Sequence, residues 1–285
     1  MSARLPLYDR VAEETASIVI RRYSTSFGLA SRLLGVGVRQ HVQNIYALVR
    51  IADEIVDGAA EESGVDTVGA GRALDQLEAE TNGAMDAGFS SNLVVHAFAL
   101  TARECAFGTE LTAPFFESMR MDLSAKQHDQ ASFERYVYGS AEVVGLMCLR
   151  AFLLGETVTD LPRLETGARA LGAAFQKVNF LRDLAADFEK LGRSYFPGVI
   201  VDTFTEAQKL RLLDDIDADL AVSAAVVPEL PASSRRAVAL AQSLFAELSV
   251  RLRRTPASQL VRARVRVPNP VKARLALAAS LGRTP

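Results

Sequence analysis

Gln176-Lys177-Val178-Asn179-Phe180-Leu181-Arg182-Asp183-Leu184-Ala185-Ala186-Asp187 carries two acids, Asp183 and Asp187, four residues apart. A helix puts residues so spaced on one face. The same face runs backward through Asn179, Gln176, Gly172 and Ala168. One stripe therefore passes from small and apolar, through amide, to paired carboxylate. The surrounding Leu164–Lys190 is long, apolar and nearly free of breakers, and reads as a single helix. A buried stripe of this kind costs roughly 1–3 kcal/mol for each polar group left unsatisfied. A bound cation and ligand would satisfy it; the plain alternative is a stripe bonded to solvent.

A second acid pair lies 130 residues earlier. Val38, Val42, Ile45, Val49, Ala52 and Val56 follow a three-and-four spacing, so Val36–Val56 reads as a helix that Gly58 stops. Its end is Asp53-Glu54-Ile55-Val56-Asp57, again with two acids four apart. Tyr46 and Val49 continue that face, and Arg50 sits at its edge. Adjacent acids repel, and the helix macrodipole makes a C-terminus the wrong place for them. A solvated acidic helix end is the bland reading. Two such pairs facing each other across a bundle would instead hold Mg²⁺, which takes carboxylate and water oxygens and is commonly completed by substrate phosphates. Such a cluster would clamp a diphosphate as it leaves.

The rest of the chain supports an all-α reading. Asp66–Asp86, Asn92–Ala106, Pro114–Ser124, Ser132–Leu154, Thr205–Ala225, Ser233–Arg254 and Pro270–Leu281 read as helices. Loops fall near 58–64, 109–114, 155–162 and 192–201. No alternating strand pattern, repeat or low-complexity linker interrupts residues 1–285, which read as one domain. The 285 residues hold 18 glycines and 10 prolines, few enough to favour long helices over turns. With 49% hydrophobic and 23% charged residues, disorder and collagen are excluded. Two cysteines, Cys105 and Cys148, fit a reducing compartment and no disulfide framework. His41, His96 and His128 have no partner at ligand spacing and read as structural, which argues against zinc or iron. No apolar run reaches the roughly 18 residues of a membrane span, and the N-terminus does not read as a signal peptide.

Charge is unevenly spread. Nine cations and no acid lie after residue 250: Arg251, Arg253, Arg254, Arg262, Arg264, Arg266, Lys272, Arg274 and Arg283. The other 250 residues carry a net charge of −11. A basic tail on an acidic body suits a phosphate ligand, a lipid surface or a nucleic acid; a solvated last helix is the bland reading. Nucleic acid leaves both acid pairs unexplained, so no nucleic-acid partner is expected.

Several stretches together resemble the squalene and phytoene synthase family. They are Tyr23-Ser24-Thr25-Ser26-Phe27 with Arg39, Tyr46, Arg50 and Asp53–Asp57; Tyr136-Val137-Tyr138-Gly139-Ser140-Ala141-Glu142-Val143-Val144-Gly145; and Gln176–Asp187 with Arg193-Ser194-Tyr195-Phe196-Pro197. The resemblance covers roughly Leu7 to Leu277 and is nearest to the bacterial phytoene synthases of carotenoid biosynthesis. It implies a single-domain helical isoprenoid synthase with a central active-site cavity. It implies that Asp53, Asp57, Asp183 and Asp187, with Asn179, bind Mg²⁺, with Mn²⁺ as the alternative cation. Arg50, Gln176, Asn179, Arg193, Tyr195, Ser24 and Ser26 would contact diphosphate oxygens or metal-bound water, and Tyr46 and Tyr136 would lie near the reacting carbons. The chain departs from the family at Ala186, where Glu is usual, and at Tyr23, where many relatives have His. Ala186 bears on the shell of the third metal ion.

The small residues Gly139, Ala141 and Gly145, and Gly172, Ala173 and Ala174, admit two readings: close helix packing, or a tunnel for a prenyl chain. The expected reaction is head-to-head joining of two geranylgeranyl diphosphates to phytoene through a cyclopropyl diphosphate, with no NADPH. The alternatives are squalene or dehydrosqualene synthesis from farnesyl diphosphate, and a catalytically silent relative acting as a binding or assembly protein. The expected place is the cytoplasm, with peripheral attachment at the inner membrane face as a further expectation from the basic tail.

Overall fold

The computed structural model describes residues 6–24, 26–124, 127–191 and 195–282, with side chains outside 26–27 and 185–191. Its elements are helices: α1 (Pro6–Tyr23), α2 (Ser26–Ser31), α3 (Val36–Asp57), α4 (Ala59–Glu62), α5 (Thr67–Ala87), α6 (Leu93–Glu104), α7 (Thr109–Ser124) and α8 (Gln130–Val137) come first. A π-helical turn (Tyr138–Glu142) follows, then α9 (Val143–Phe152), α10 (Leu161–Leu191), α11 (Glu206–Val226), α12 (Ala232–Arg254), α13 (Ala257–Leu260) and α14 (Asn269–Ser280). No strand occurs among the described residues.

Helix starts are set by short polar side chains. Asp66 accepts from the Gly69 N–H at 2.7 Å and Asn92 from Val94 at 3.1 Å. Asp129 accepts from Ser132 at 2.7 Å, and Thr205 with Gln208 forms a reciprocal capping box. Gly88 ends α5 at φ 79°, a left-handed conformation open to glycine at little cost.

The structure departs from the sequence reading in three places. Residues before Val36 form α1 and α2. The buried face of α1 is Asp9, Ala12, Ala16 and Ile20, with one large apolar side chain among the four, so its hydrophobic pattern is faint. The helix expected from Pro114 begins at Thr109, where the Glu110 carboxylate accepts from the Gly108 N–H at 2.9 Å. The single helix expected over Ser132–Leu154 is interrupted by the π turn. There a Cβ on Gly139 would lie 2.1 Å from the Pro114 carbonyl oxygen. Helix α7 thus presses on the turn from one side. On the other, a Cβ on Gly172 of α10 would lie 2.4 Å from the Ala141 carbonyl oxygen. The π turn thus lies where both neighbours approach most closely, and such turns are frequent at functional sites.

Two apolar cores flank the centre. One packs α1, α3, α5, α6, α7 and α9 around Phe98, Phe115 and Phe116. The other gathers α8, α10, α11 and α12 around Val178, Leu181, Leu213 and Leu252. Helices α3, α9, α10 and α12 meet at a cavity between them.

Candidate active site

The cavity encloses about 1380 Å³, part of it open to solvent. Its walls are apolar: Val42, Ile45 and Val49 from α3; Val144, Cys148 and Phe152 from α9; Leu164, Ala168, Leu171 and Phe175 from α10; Val238, Ala241 and Phe245 from α12. Gly145 and Gly172 also line it. A Cβ on Gly145 would lie 2.5 Å from the Ala168 carbonyl oxygen. The glycines therefore let α9 and the π turn touch α10 backbone to backbone, and at the same time border open space. Close packing and cavity lining are one feature here.

Polar groups gather toward one end of this wall. Tyr46, Gln176, Asn179 and Ser140 line the cavity. The acids follow within about two turns: Asp53 and Asp57 beyond Tyr46 and Val49, Asp183 beyond Asn179. The stripe read from the sequence, Ala168, Gly172, Gln176 and Asn179, is a continuous cavity wall. Asn179 Oδ1 and Ser140 Oγ are buried without a hydrogen-bond partner. Such atoms are costly unless a ligand or water meets them.

The electrostatics at the two acid ends differ. Asp53 is half-buried; burial drives its carboxyl up to about 7, against Arg50 and helped by Asp57 and Glu54. Asp57 is exposed at the end of α3. Arg50 pairs with Glu54 and lies 4.5 Å from the centre of the Tyr23 ring. Ser24 bonds the Tyr46 hydroxyl, whose pKa is raised chiefly by burial. Asp183 is ion-paired to Arg182 at 2.5 Å and to Arg264 at 2.6 Å. Tyr136 and Tyr195 are brought together behind this end: both donate to the buried Asp122, at 2.8 and 3.2 Å. Burial, then the Asp122 carboxylate, raises the Tyr136 phenol well above its ordinary value, and Asp57 adds to this. Phe180 stacks on Tyr195 at 4.0 Å. The side chains of Ser26 and Asp187, and all of Arg193, lie outside the described residues.

Each histidine has its own neighbours, and the three are not brought together. His96 is buried against Asp9 at 3.0 Å, His41 bonds Thr101, and His128 stacks on Tyr195. Among the described residues no three acidic, histidine or cysteine side chains form a cation site. The oxygen donors present nonetheless suit Mg²⁺: a buried amide oxygen without a partner on Asn179, and a carboxyl on Asp53 that resists ionising alone.

Sequence reasoning passed over Asp122, Glu54 and Arg264. Arg264 stood among nine cations, and nothing local marks it; its partner Asp183 is 81 residues away. Arg264, Arg182, Arg266 and Lys272 also border a second cavity, open in part to solvent and lined by cationic and apolar side chains together, that shares Phe245 with the first.

The sequence model of the squalene/phytoene synthase family matches residues 20–270. The chain belongs to that family. It is 29% identical over 254 residues to a 15-cis-phytoene synthase of Paracoccus sp., covering 84% of this chain and 82% of the relative. A 15-cis-phytoene synthase of Enterobacter agglomerans is 29% identical over 281 residues, covering 90% and 91%. Among solved structures, a dehydrosqualene synthase in complex with ligand superposes with a TM-score of 0.79 at 22% identity, over 96% of this chain and 97% of that one. A squalene synthase from Alicyclobacillus acidocaldarius gives 0.75 at 22% identity, over 88% and 96%. Squalene/phytoene synthases are helical prenyltransferases that act on prenyl diphosphates. An apolar cavity capped at one end by acids, amides and arginines matches that class of substrate, which joins a hydrocarbon tail to a polyanionic head.

Proposed function

We propose that the protein joins two geranylgeranyl diphosphates head to head into phytoene, through a cyclopropyl diphosphate, for carotenoid synthesis. The length of the cavity carries the choice of substrate. Leu164 and Asn179 both line it, and the 15 residues of α10 between them span about 22 Å at about 1.5 Å per residue. An extended carbon chain advances about 1.25 Å per main-chain carbon, so a geranylgeranyl tail of about 16 such carbons needs about 20 Å. A farnesyl tail of about 12 needs about 15 Å and would leave the far end near Leu164 empty. Squalene or dehydrosqualene synthesis is the second reading, favoured by the names of the structural neighbours. A silent binding protein is disfavoured, since all four aspartates are present.

Asp53, Asp57, Asp183 and Asp187, with Asn179, would hold Mg²⁺ or, in its place, Mn²⁺. When bound, the cation supplies Lewis-acid stabilisation of a departing diphosphate. Arg50, Gln176, Arg193, Ser24 and Ser26 would orient diphosphate oxygens. The C–O bond of the first substrate breaks with its electrons leaving on diphosphate. The double bond of the second substrate attacks the allylic cation, and loss of a proton closes the cyclopropane. Loss of the second diphosphate, rearrangement and a final proton loss give the product, with no hydride donor. The apolar walls keep water from these cations, and Tyr46 on the cavity wall faces them. Tyr136 and Tyr195, tied to Asp122, support the diphosphate end from behind.

Product analysis tests this reading. Purified protein with Mg²⁺ should convert geranylgeranyl diphosphate to a C40 hydrocarbon with or without NADPH. A product that requires NADPH, or strong preference for a C30 product, overturns it. Peripheral attachment to anionic lipid at the inner membrane face belongs to the same proposal. It is supported by Leu277 and Leu281, exposed near Lys272 and Arg274, and by the hydrocarbon product. Vesicle co-sedimentation at low salt decides it; no binding there removes it.

A further inference from the structure

Lys209 is one of the largest fully buried side chains in the protein, with no exposed surface, and no step above uses it. A buried ammonium is tolerated only when its donors are met. Here they are: Nζ donates to the Thr255 carbonyl at 2.6 Å and the Arg253 carbonyl at 3.1 Å, and pairs with Glu206 Oε1 at 2.5 Å. The acceptors are a carbonyl in the last turn of α12 and that of the residue capping it, where a cation meets the negative end of the helix. Glu206 uses its other oxygen to accept the Ala257 N–H at 2.9 Å. Two residues in the first turn of α11 thus clamp the joint 253–257 from both sides.

That joint begins the path to the acid end. From it the chain runs through α13 to Leu260, fully buried, and on to Val267, buried in the core around α10. Between these anchors lies Arg264, whose guanidinium reaches Asp183. We propose that Lys209 is a positioning residue: by clamping the end of α12 it fixes the segment 257–267 and so holds Arg264 at the diphosphate end of the cavity. This rests on the reading of that end as a diphosphate site.

The clamp can be separated from mere stability. Lys209→Met keeps much of the volume but leaves two carbonyls and Glu206 without their donor. Inorganic diphosphate with Mg²⁺ is titrated calorimetrically into wild type, Lys209→Met, Arg264→Met and the double variant. The expected result is a Kd raised about tenfold in Lys209→Met, on the scale that small misplacements of binding groups produce. In the Arg264→Met background the same change should add nothing. If the two effects multiply, or if Lys209→Met lowers Tm and leaves Kd unchanged, the inference is overturned. Should Lys209→Met fail to fold, Glu206→Ala opens the other side of the clamp at a half-exposed position. It should raise Kd by about threefold, again only while Arg264 is present. Hydrogen exchange reads the anchoring without any ligand: amides of 257–267 should lose protection in the clamp variants, and unchanged protection overturns the inference. If Arg264→Met binds diphosphate as wild type does, it is the diphosphate reading of this end that fails.

Discussion

The two acid ends share a spacing and little else. At the end of α3, Asp53 is half-buried beside Asp57 and Glu54, and the nearby Arg50 is engaged by Glu54. In α10, about two turns before its end, Asp183 has two guanidinium groups on it, Arg182 and Arg264. The first end is short of positive charge and its carboxyl resists ionising; the second has its counter-charge built in. Two similar motifs thus make unlike demands on a cation. The α3 end would gain most from one, whereas at α10 a cation would compete with the two arginines on Asp183.

The largest effect should come from removing either acid while keeping its shape. Asp53→Asn and Asp183→Asn should each cut turnover by about 10³-fold or more, as expected when charge stabilisation of a leaving group is lost. Circular dichroism should show the fold intact. Near-normal turnover of either variant in Mg²⁺ would break the idea that both ends serve one reaction.

Metal-free stability separates the ends next. Folding raises the Asp53 pKa from 3.8 to about 7, so the folded state holds this proton more tightly than the unfolded chain. Without metal, stability should be fullest below about pH 4, fall as pH rises to about 7, and level off above, by at most about 4 kcal/mol. Asp53→Asn should flatten that slope and raise the metal-free Tm at pH 8. Asp183→Asn should do the reverse, costing about 1 kcal/mol by leaving two arginines without their partner. Melting curves in chelator across pH 4–8 measure both; equal shifts in the two variants would erase the contrast.

The sequence discloses the parts of this site that follow a helical period. Ala168, Gly172, Gln176 and Asn179 share a face by spacing alone, and that face is the cavity wall. The acid pairs are legible for the same reason. What was hidden depends on contacts between distant segments. The π turn lies where Gly139 meets the Pro114 carbonyl, a contact with no local signature. The basic tail looked unneutralised because its acids come from elsewhere: Arg253 pairs with Asp214 and Asp217 of α11, Arg251 with Glu247, and Arg264 with Asp183. Asp122 showed no pattern in sequence, yet it ties Tyr136 to Tyr195.

The smallest effect concerns the arginine at each end. Arg264 sits on Asp183 itself, whereas Arg50 is held one turn along α3 by Glu54, which also accepts the Ala59 N–H at 3.0 Å. Glu54→Gln keeps an acceptor for Ala59 and removes the charge that holds Arg50. The Tyr23 ring, 4.5 Å from the guanidinium, then becomes its chief restraint. A partly buried ion pair one helical turn apart, such as this, is worth about 0.3–0.5 kcal/mol, so the fold should barely change. Two opposing consequences follow for catalysis: Arg50 is freer to meet a diphosphate, and it is less well aimed. Loss of aim costs more at a site that works by fixed geometry, because the side chain must be ordered again at each turnover. The expected outcome is a KM for prenyl diphosphate raised about threefold with kcat nearly unchanged, since binding rather than bond breaking is affected. Steady-state kinetics on Glu54→Gln reads this directly. A lowered KM would mean that Glu54 holds Arg50 away from the substrate, and the α3 end would then be a latch rather than a mount.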